Sequence, residues 1–285
     1  MASRHYKPSG PVNPAIEPDL SVLAGKTAIV TGGASGLGEA YVRALVNAKL
    51  VKQMLADTKY VNCDVFDWDD QLRLSKDAID FSPSGKIHYV VANAGVAKKP
   101  DTSIINVDLV GVLYTAKLAM HYFVKQNGIE PSPSQEDTAL ILISSGAGFL
   151  DCPRGPQYAA CKFAMRGFMA SLRKTTHFYG SRVNIISPWY VKTKILPAAT
   201  WKYLTEIGVE FATLEDAQHC LTHILSDQSI NGRNLFLSPR KWAPKGYLDL
   251  GLDDFSGNKL ITEIQADQVK SNPPENGLWP EGDGW

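Results

Sequence analysis

The chain has 285 residues, 44% of them hydrophobic, which fits one α/β domain with a sizeable core better than two domains. Its 29 basic and 29 acidic residues cancel, so neither a nucleic acid nor an anionic membrane surface is an expected partner. Four cysteines without CxxC spacing, no apolar leader and only short apolar runs predict a reduced cytoplasmic protein without a membrane span.

The predicted elements alternate between short apolar strands and longer amphipathic helices. Residues 1–24 are polar and proline-rich and are predicted to form an arm outside the core, and residues 251–285 a C-terminal tail. Strands are predicted at 27–31, 59–63, 87–92, 139–144, 182–187 and 234–238. Helices are predicted at 37–56, 67–80, 107–126, 157–176 and 213–226. This order predicts an α/β fold with a doubly wound parallel sheet, the Rossmann fold, as a single domain over 25–250.

A glycine-rich turn follows the first predicted strand. It reads Gly32-Gly33-Ala34-Ser35-Gly36-Leu37-Gly38 and leads directly into a helix. Glycines allow backbone N–H groups to approach a pyrophosphate at the N-terminus of that helix. A purely structural turn can look similar, but the strand before it and the helix after it favour nucleotide binding.

Tyr158 and Lys162 are four residues apart at the start of a predicted helix, so both side chains lie on one face. A phenol, with an ordinary pKa of ~10, is a poor base at neutral pH, but a nearby ammonium favours its ionised form. Such a pair can transfer a proton to or from an alcohol oxygen. Ser145 follows a predicted strand at the edge where doubly wound sheets bind ligands. Without these neighbours, the pair would be interpreted as a buried tyrosine and a surface lysine.

Together these motifs resemble the short-chain dehydrogenase/reductase family, and among its members the 15-hydroxyprostaglandin dehydrogenase-like and fungal polyketide-pathway enzymes. The matching motifs are Thr31-Gly32 to Gly38 for TGxxxGxG, Asn93-Ala94-Gly95 for NAG, and Ser145, Tyr158 and Lys162 for the catalytic triad. The resemblance implies that Tyr158 is the general acid/base, that Ser145 positions the substrate, and that Lys162 also holds the nicotinamide ribose. The other implied cofactor contacts are Gly32, Ser35, Gly36, Leu37, Gly38, Asp64, Val65, Asn93, Ala94, Gly95, Val191 and Thr193.

Two positions depart from the family pattern. Asp108 stands where the family has an asparagine. It is a candidate catalytic residue that would hold the water linking Lys162 to solvent, or else an early-helix acid favoured by the helix dipole. Trp189 follows Pro188 in place of the usual glycine, and its ring would either wall the substrate pocket or pack outward.

The interval between Gly38 and Asp64 is short for the family. It spans 26 residues, where the family has two helices and two strands, so the second strand and its ribose-binding acid are predicted to be missing. In one account, the strand at 59–63 moves beside the first strand and Asp64 binds the ribose. In the other, the sequence carries a deletion, and the protein binds cofactor weakly or folds poorly.

The expected function is hydride transfer between NAD(H) and a secondary alcohol or ketone. NAD is favoured over NADP because the first helical turn carries Glu39 and no basic residue for a 2′-phosphate. The substrate is expected to be a small apolar or aromatic molecule, and the resemblance implies a homodimer or homotetramer. A non-catalytic nucleotide-binding protein and an isomerase or lyase are the alternatives. His219 and His223 are interpreted as an ordinary helix face, so no metal is expected.

Overall fold

The strands and helices are those of the computed structural model, which describes residues 6, 9–48, 58–97, 103–255, 257–271, 273 and 278. The strands are β1 (Ala28–Val30), β2 (Tyr89–Ala92), β3 (Thr138–Ile143), β4 (Ser181–Pro188), β5 (Asn234–Leu237) and β6 (Tyr247–Asp249). The helices are α1 (Gly36–Ala48), α2 (Trp68–Phe81), α3 (Ser103–Asn127), α4 (Pro156–Leu172), α5 (Ala198–Glu206), α6 (Leu214–Ser226) and α7 (Lys259–Ser271).

The strands of the sheet follow one another in chain order. The order is β1-β2-β3-β4-β5-β6, with the first five strands parallel and β6 antiparallel to β5. Strands β2, β3 and β4 are buried along their whole length, as expected when helices cover both faces of a parallel sheet. The predicted α/β class with a mostly parallel sheet is confirmed, and the antiparallel β6 was not predicted.

Helices cover both faces of this sheet and leave a crevice at one edge. Tyr41 of α1 and Leu221 of α6 are buried in the core on one face, and Phe123 of α3 and Met165 of α4 in the core on the other. The helix after β1 therefore lies on one face and the helix after β2 on the opposite face. This arrangement leaves a crevice at the carboxyl ends of the two strands, where such sheets bind ligands.

The prediction of a strand at 59–63 is wrong. Residues 58–64 have no regular structure and run beside α2, where Arg73 donates to the Asn62 carbonyl (2.7 Å) and Lys59 pairs with Asp77 (3.4 Å). Strand-forming side chains give a strand only where a neighbouring strand completes the ladder. The hypothesis that this segment moves beside β1 is not supported, because β1 is an edge strand of the described sheet and residues 58–64 form no bridge with it. The predicted helix at 37–56 is described as far as Ala48, and 49–56 lie outside the described residues.

The predicted arm contributes to the core, which corrects the expectation that it lies outside. Leu20–Leu23 forms a 3-10 helix, and Leu23 is 2% exposed in the same core as α6 because its apolar side chain faces that helix. The Val12 amide donates to the Asp249 carboxylate (3.1 Å) in β6. In the predicted tail, α7 is surface-exposed and the Leu278 amide donates to the Tyr179 hydroxyl (3.0 Å). The other residues of 272–285, apart from 273, lie outside the described part.

Helix α3 is long and apolar enough to cross a membrane by length and composition alone. The sequence was predicted to have only apolar runs too short for a membrane span, so this helix is longer than expected. Half of its apolar window is buried inside the protein, with Ala116 and Phe123 completely buried against the sheet. The core helix of an α/β domain meets the same criteria of length and composition. Since α3 is buried against the sheet, it is a core helix.

Glu136 joins the beginnings of β1, β2 and β3 through three polar side chains. Its carboxylate pairs with Lys26 (2.8 Å) and Lys86 and accepts from Nε2 of His88 (3.0 Å). Nδ1 of His88 accepts from the Thr27 amide (3.0 Å), which leaves the proton on Nε2. The hydrogen bonds from the two lysines lower the pKa of Glu136 to about 2.

We expect Glu136→Gln to lower the free energy of unfolding by about 1 kcal/mol at pH 7, because the pairs are partly exposed. The folded-state pKa lies below the ordinary value of 4.5, so the wild type loses this contribution as the pH falls from 4.5 towards 2. Chemical denaturation at several pH values should therefore show the two proteins converging in acid. Glu263→Gln, in an exposed helix pair (3.9 Å), is the matched control, and an equal loss there would contradict the prediction.

Candidate active site

The glycine turn between β1 and α1 packs closely on the segment that follows β2. Gly32 and Gly36 have φ angles of 65° and 58°, in the left-handed region that favours glycine. A Cβ atom on Gly38 would lie 2.2 Å from the Gly32 carbonyl oxygen and 2.6 Å from Nδ2 of Asn93. The turn can therefore adopt this shape only with glycine at position 38, and Ser35 and Leu37 take their places within it.

Thr31 connects the turn to the NAG segment. Its hydroxyl oxygen accepts from the amides of Asn93 (3.0 Å) and Ala94 (3.1 Å), and Nδ2 of Asn93 donates to the Thr31 carbonyl (2.9 Å). The structure thus brings Asn93 and Ala94 beside the predicted phosphate-binding turn. In the sequence Thr31 stands out only as part of the TGxxxGxG motif, and the signal for this role is its hydroxyl at the end of a predicted strand.

Thr193 lies against the same turn. A Cβ atom on Gly36 would be 3.2 Å from two carbon atoms of the Thr193 side chain. Nε1 of Trp201 in α5 donates to the Thr193 carbonyl (3.0 Å), so α5 fixes this segment. The side chain of Val191 is buried in the core, so only its backbone is available to a cofactor. Thr193 and residues of α5 together line an open groove of about 470 Å³.

The described contacts of Asp64 and Val65 do not include the glycine turn. Asp64 is exposed, and its carboxylate accepts from the Phe66 amide (3.0 Å). Val65 is buried against Gly111 of α3, where an added Cβ would lie 2.8 Å from the valine side chain. Contact of Asp64 with the ribose or adenine of a dinucleotide stays a prediction.

Lys162 is buried and makes an ion pair with Asp108. Its Nζ lies 3.1 Å from Oδ2 of Asp108, donates to the Ile143 carbonyl (3.3 Å) and lies 5.4 Å from the centre of the Tyr158 ring. Asp108 is completely buried within the π-helical stretch Asn106–Gly111. Asp108 does lie early in α3, but its carboxylate is buried and contacts Lys162 directly, so the helix dipole alone does not account for its position.

The neighbours of this pair keep the lysine charged. Burial lowers the pKa of Lys162, but Tyr158 and Asp108 together raise it further, so the net shift is upward. Gly95 lies over the pair: an added Cβ would be 3.3 Å from Oδ2 of Asp108 and 3.6 Å from Nζ of Lys162. Gly95, the last glycine among the predicted cofactor contacts, thus marks a close approach of the backbone to the ion pair.

Ser145 lies where β3 meets α4. Its hydroxyl oxygen accepts from the Ala147 amide (3.2 Å) and caps the short helix Gly146–Gly148. The hydroxyl of the preceding Ser144 donates to the Lys162 carbonyl (2.8 Å), which anchors α4 to the end of β3. The side chains of Ser145, Tyr158 and Lys162 thus come from adjoining segments at the carboxyl edge of the sheet.

Trp189 packs on the core and against Gly146, the residue after Ser145, so the alternative of an outward ring is not supported. An added Cβ on Gly146 would lie 3.3 Å from the indole ring, and Nε1 of Trp189 donates to the Glu210 carbonyl (3.1 Å). The indole contacts the edges of Phe236 and Trp242, with ring centres 6.2 and 5.6 Å apart. This aromatic cluster consists of Phe149, Trp189, Tyr190, Trp201, Phe211, Phe236 and Trp242.

Gly38→Ala should weaken both the fold and cofactor binding, because the new methyl group overlaps backbone that cannot move freely. We expect a loss of about 1–3 kcal/mol in the free energy of unfolding. Displacement of the turn should also weaken NADH binding, measured by fluorescence titration. Gly167→Ala in α4, where an added Cβ meets nothing within 4 Å, is the matched control and should keep full stability and binding. Equal behaviour of the two variants would contradict the assignment of the turn.

Within the described residues, no group of three or more His, Cys, Asp or Glu side chains has the arrangement of a metal site. Of the two histidines on α6, His223 is buried, and its Nδ1 lies 2.8 Å from the Tyr247 hydroxyl. This contact assigns His223 to the packing of β6 on α6.

Comparison with known proteins gives consistent matches. The sequence matches the model of the short chain dehydrogenase family over residues 26–202. It is 31% identical over 270 residues to 5'-hydroxyaverantin dehydrogenase of Dothistroma septosporum, which covers 78% of this chain and 87% of that protein. It is 29% identical to an NADP-dependent dehydrogenase of Cochliobolus lunatus, over 62% and 74% of the two chains. The fold matches 3-ketoacyl-(acyl-carrier-protein) reductase from Brucella melitensis complexed with NADH, with a TM-score of 0.65, 19% identity and coverage of 75% and 97%.

Proposed function

The chain belongs to the short-chain dehydrogenase family of oxidoreductases, and from this membership we propose that it transfers a hydride between NAD(H) and a secondary alcohol or ketone. The observation that carries the proposal is the placement of the buried, charged Lys162, with Tyr158 on the same helix face, against Gly95 of the NAG segment, which itself packs on the glycine turn. A dinucleotide cofactor fits this turn, because glycines at the N-terminus of α1 let backbone N–H groups approach a pyrophosphate.

Each residue of the candidate active site has a separate role in the proposed reaction. When bound, the nicotinamide supplies the hydride acceptor or donor. In the direction of oxidation, Tyr158 takes the hydroxyl proton as the carbon–hydrogen bond breaks, and the alcohol becomes a ketone. Lys162, held by Asp108 and the Ile143 carbonyl, stabilises the phenolate form that accepts this proton. Ser145 donates a hydrogen bond to the reacting oxygen and holds it against Tyr158.

NAD is the proposed cofactor, with NADP as the alternative. Glu39 lies in the first turn of α1, and Arg43 on the next turn is engaged by the Glu39 carboxylate (2.7 Å). A carboxylate near the turn disfavours the extra phosphate of NADP through like-charge repulsion. One relative is named as NADP-dependent and one structural neighbour holds NADH, so relatives alone do not decide the choice.

The proposed substrate is an apolar, aromatic molecule. Trp189 of the aromatic cluster lies against Gly146, next in the chain to Ser145, and the cluster continues to Trp242, which is half exposed. Flat aromatic faces at the reaction site favour a planar ring system through stacking and edge-to-face contacts. A secondary-metabolite ketone or alcohol of the kind suggested by the fungal relative fits this surface.

The experiment measures NADH and NADPH formation by the purified protein with hydroxylated aromatic polyketides and with long-chain secondary alcohols. Product formation with NAD and an aromatic alcohol supports the proposal. NADH fluorescence titration distinguishes the proposed function from the two alternatives. No binding of either dinucleotide would indicate a non-catalytic protein, and binding without hydride exchange on any alcohol would indicate isomerase or lyase chemistry.

A homodimer or homotetramer in the cytoplasm is proposed for the assembled protein. Phe163 on α4 is 46% exposed and Ile105 on α3 is 36% exposed, which gives these two helices apolar outer positions for a second copy. Light scattering of the purified protein tests the assembly, and a monomer at all concentrations would reject it.

A further inference from the structure

The least expected contact in the site is the direct ion pair between Lys162 and Asp108. The two side chains are 6% and 1% exposed, and the charged atoms are 3.1 Å apart. Charges buried to this extent interact with their neighbours much more strongly than charges in water. The pair therefore determines how much of the positive charge of Lys162 acts on Tyr158.

We propose that Asp108 is a positioning residue that partly neutralises Lys162, so that Lys162 stabilises the phenolate form of Tyr158 less than an unpaired lysine would. The inference rests on the proposed function only in that Tyr158 is the residue that exchanges the proton. It does not depend on which alcohol or ketone is the substrate.

Asp108 is fixed in this position from several sides. Its Oδ1 accepts from the Val96 amide (2.8 Å), and Gly95 lies against Oδ2. The residue belongs to the π-helical stretch of α3, a distortion that often accompanies functional sites. The carboxylate cannot turn away from Lys162 without breaking the hydrogen bond to Val96.

The other groups around Lys162 do not take over this role. Tyr158 and Cys161 face the lysine from its own helix, Asp108 faces it from α3, and the end of β3 contributes the Ile143 carbonyl. Burial and the nearby Asp108 carboxylate raise the pKa of the Cys161 thiol, so the thiol is uncharged near neutral pH. Among these described groups, Asp108 is the anion that reduces the field of Lys162 at Tyr158.

The first test compares the pH dependence of kcat/KM for alcohol oxidation in the wild type and in Asp108→Asn. Loss of the negative charge should move the midpoint of the rising limb to lower pH by about one unit. Asp69→Asn removes an exposed carboxylate from α2, has the same effect on net charge, and should leave the midpoint in place. A purely structural role for Asp108 would lower the Tm without moving the midpoint, and that outcome would overturn the inference.

A second measurement needs no substrate, so it separates this inference from the proposed function. Tyrosinate absorbance is measured for each protein with and without Tyr158→Phe. The difference between the two curves reports the ionisation of the Tyr158 phenol alone. Its midpoint should be about one pH unit lower when Asp108→Asn is present in both members of the pair. A shift without any alcohol turnover would reject the proposed function and keep the inference, whereas no shift would overturn the inference. If Asp108→Asn does not fold, Asp108→Ser takes its place in both measurements.

Discussion

Tyr158→Phe is expected to lower kcat for alcohol oxidation by about 10²–10⁴-fold, the usual contribution of one general acid/base. The variant keeps the ring and loses only the hydroxyl group that accepts the proton. Because Lys162 and the glycine turn stay in place, the affinity for NADH should change little. Steady-state kinetics for turnover and fluorescence titration for binding measure the two quantities separately.

Tyr203→Phe provides the matched control for this prediction. Tyr203 lies in α5, on the segment next to the site, and is 59% exposed, so loss of its hydroxyl group should leave turnover near the wild-type value. Turnover by Tyr158→Phe within a few-fold of the wild type would remove the tyrosine from the mechanism. Equal losses in both variants would mean that a general effect of the substitution had been measured.

Lys162→Met should be the most destabilising of the substitutions considered, at about 3–5 kcal/mol in the free energy of unfolding. The reason is the aspartate left behind, since the carboxylate of Asp108 is 1% exposed and would stay buried without its counter-ion. Chemical denaturation at pH 7 measures the loss, and NADH titration measures the accompanying loss of binding.

The double variant Lys162→Met/Asp108→Asn tests that reason directly. Removing both charges takes away the unpaired buried ion, so the double variant should be more stable than Lys162→Met alone. Lys76→Met on the exposed face of α2 is the control and should cost little. If the double variant is no more stable than Lys162→Met alone, the loss of stability does not come from the buried carboxylate.

Much of the fold could be predicted where continuous apolar runs meet clear turn signals. The run at 139–144 predicted β3 to within one residue at each end, and the glycine turn correctly placed the start of α1. In the candidate site, the spacing of Tyr158 and Lys162 predicted that they share one face of α4. These features depend on residues close in sequence, where period and propensity act directly.

The remaining features depend on contacts between distant residues. Asp108 stands out in the sequence as a departure from the family pattern, but its direct contact with Lys162 joins two helices, and no local pattern indicated the π-helical stretch in which it lies. The segment at 59–63 has strand-like composition and still forms no strand, because the partner that would complete a ladder is not beside it. Strand β6 has three residues and follows a loop, so it is too short to show the alternating hydrophobic pattern of a strand.

The order of the sheet also has a consequence for how the chain folds. Each strand in the described sheet pairs with the one before or after it in sequence, so no pairing has to wait for a distant segment to return past β1. A strand inserted outside β1 would require such a return, with the slower search that long-range contacts impose. The β3–β4 ladder, with six residue pairs in register, offers a nucleus from which the sheet can grow outward in both directions.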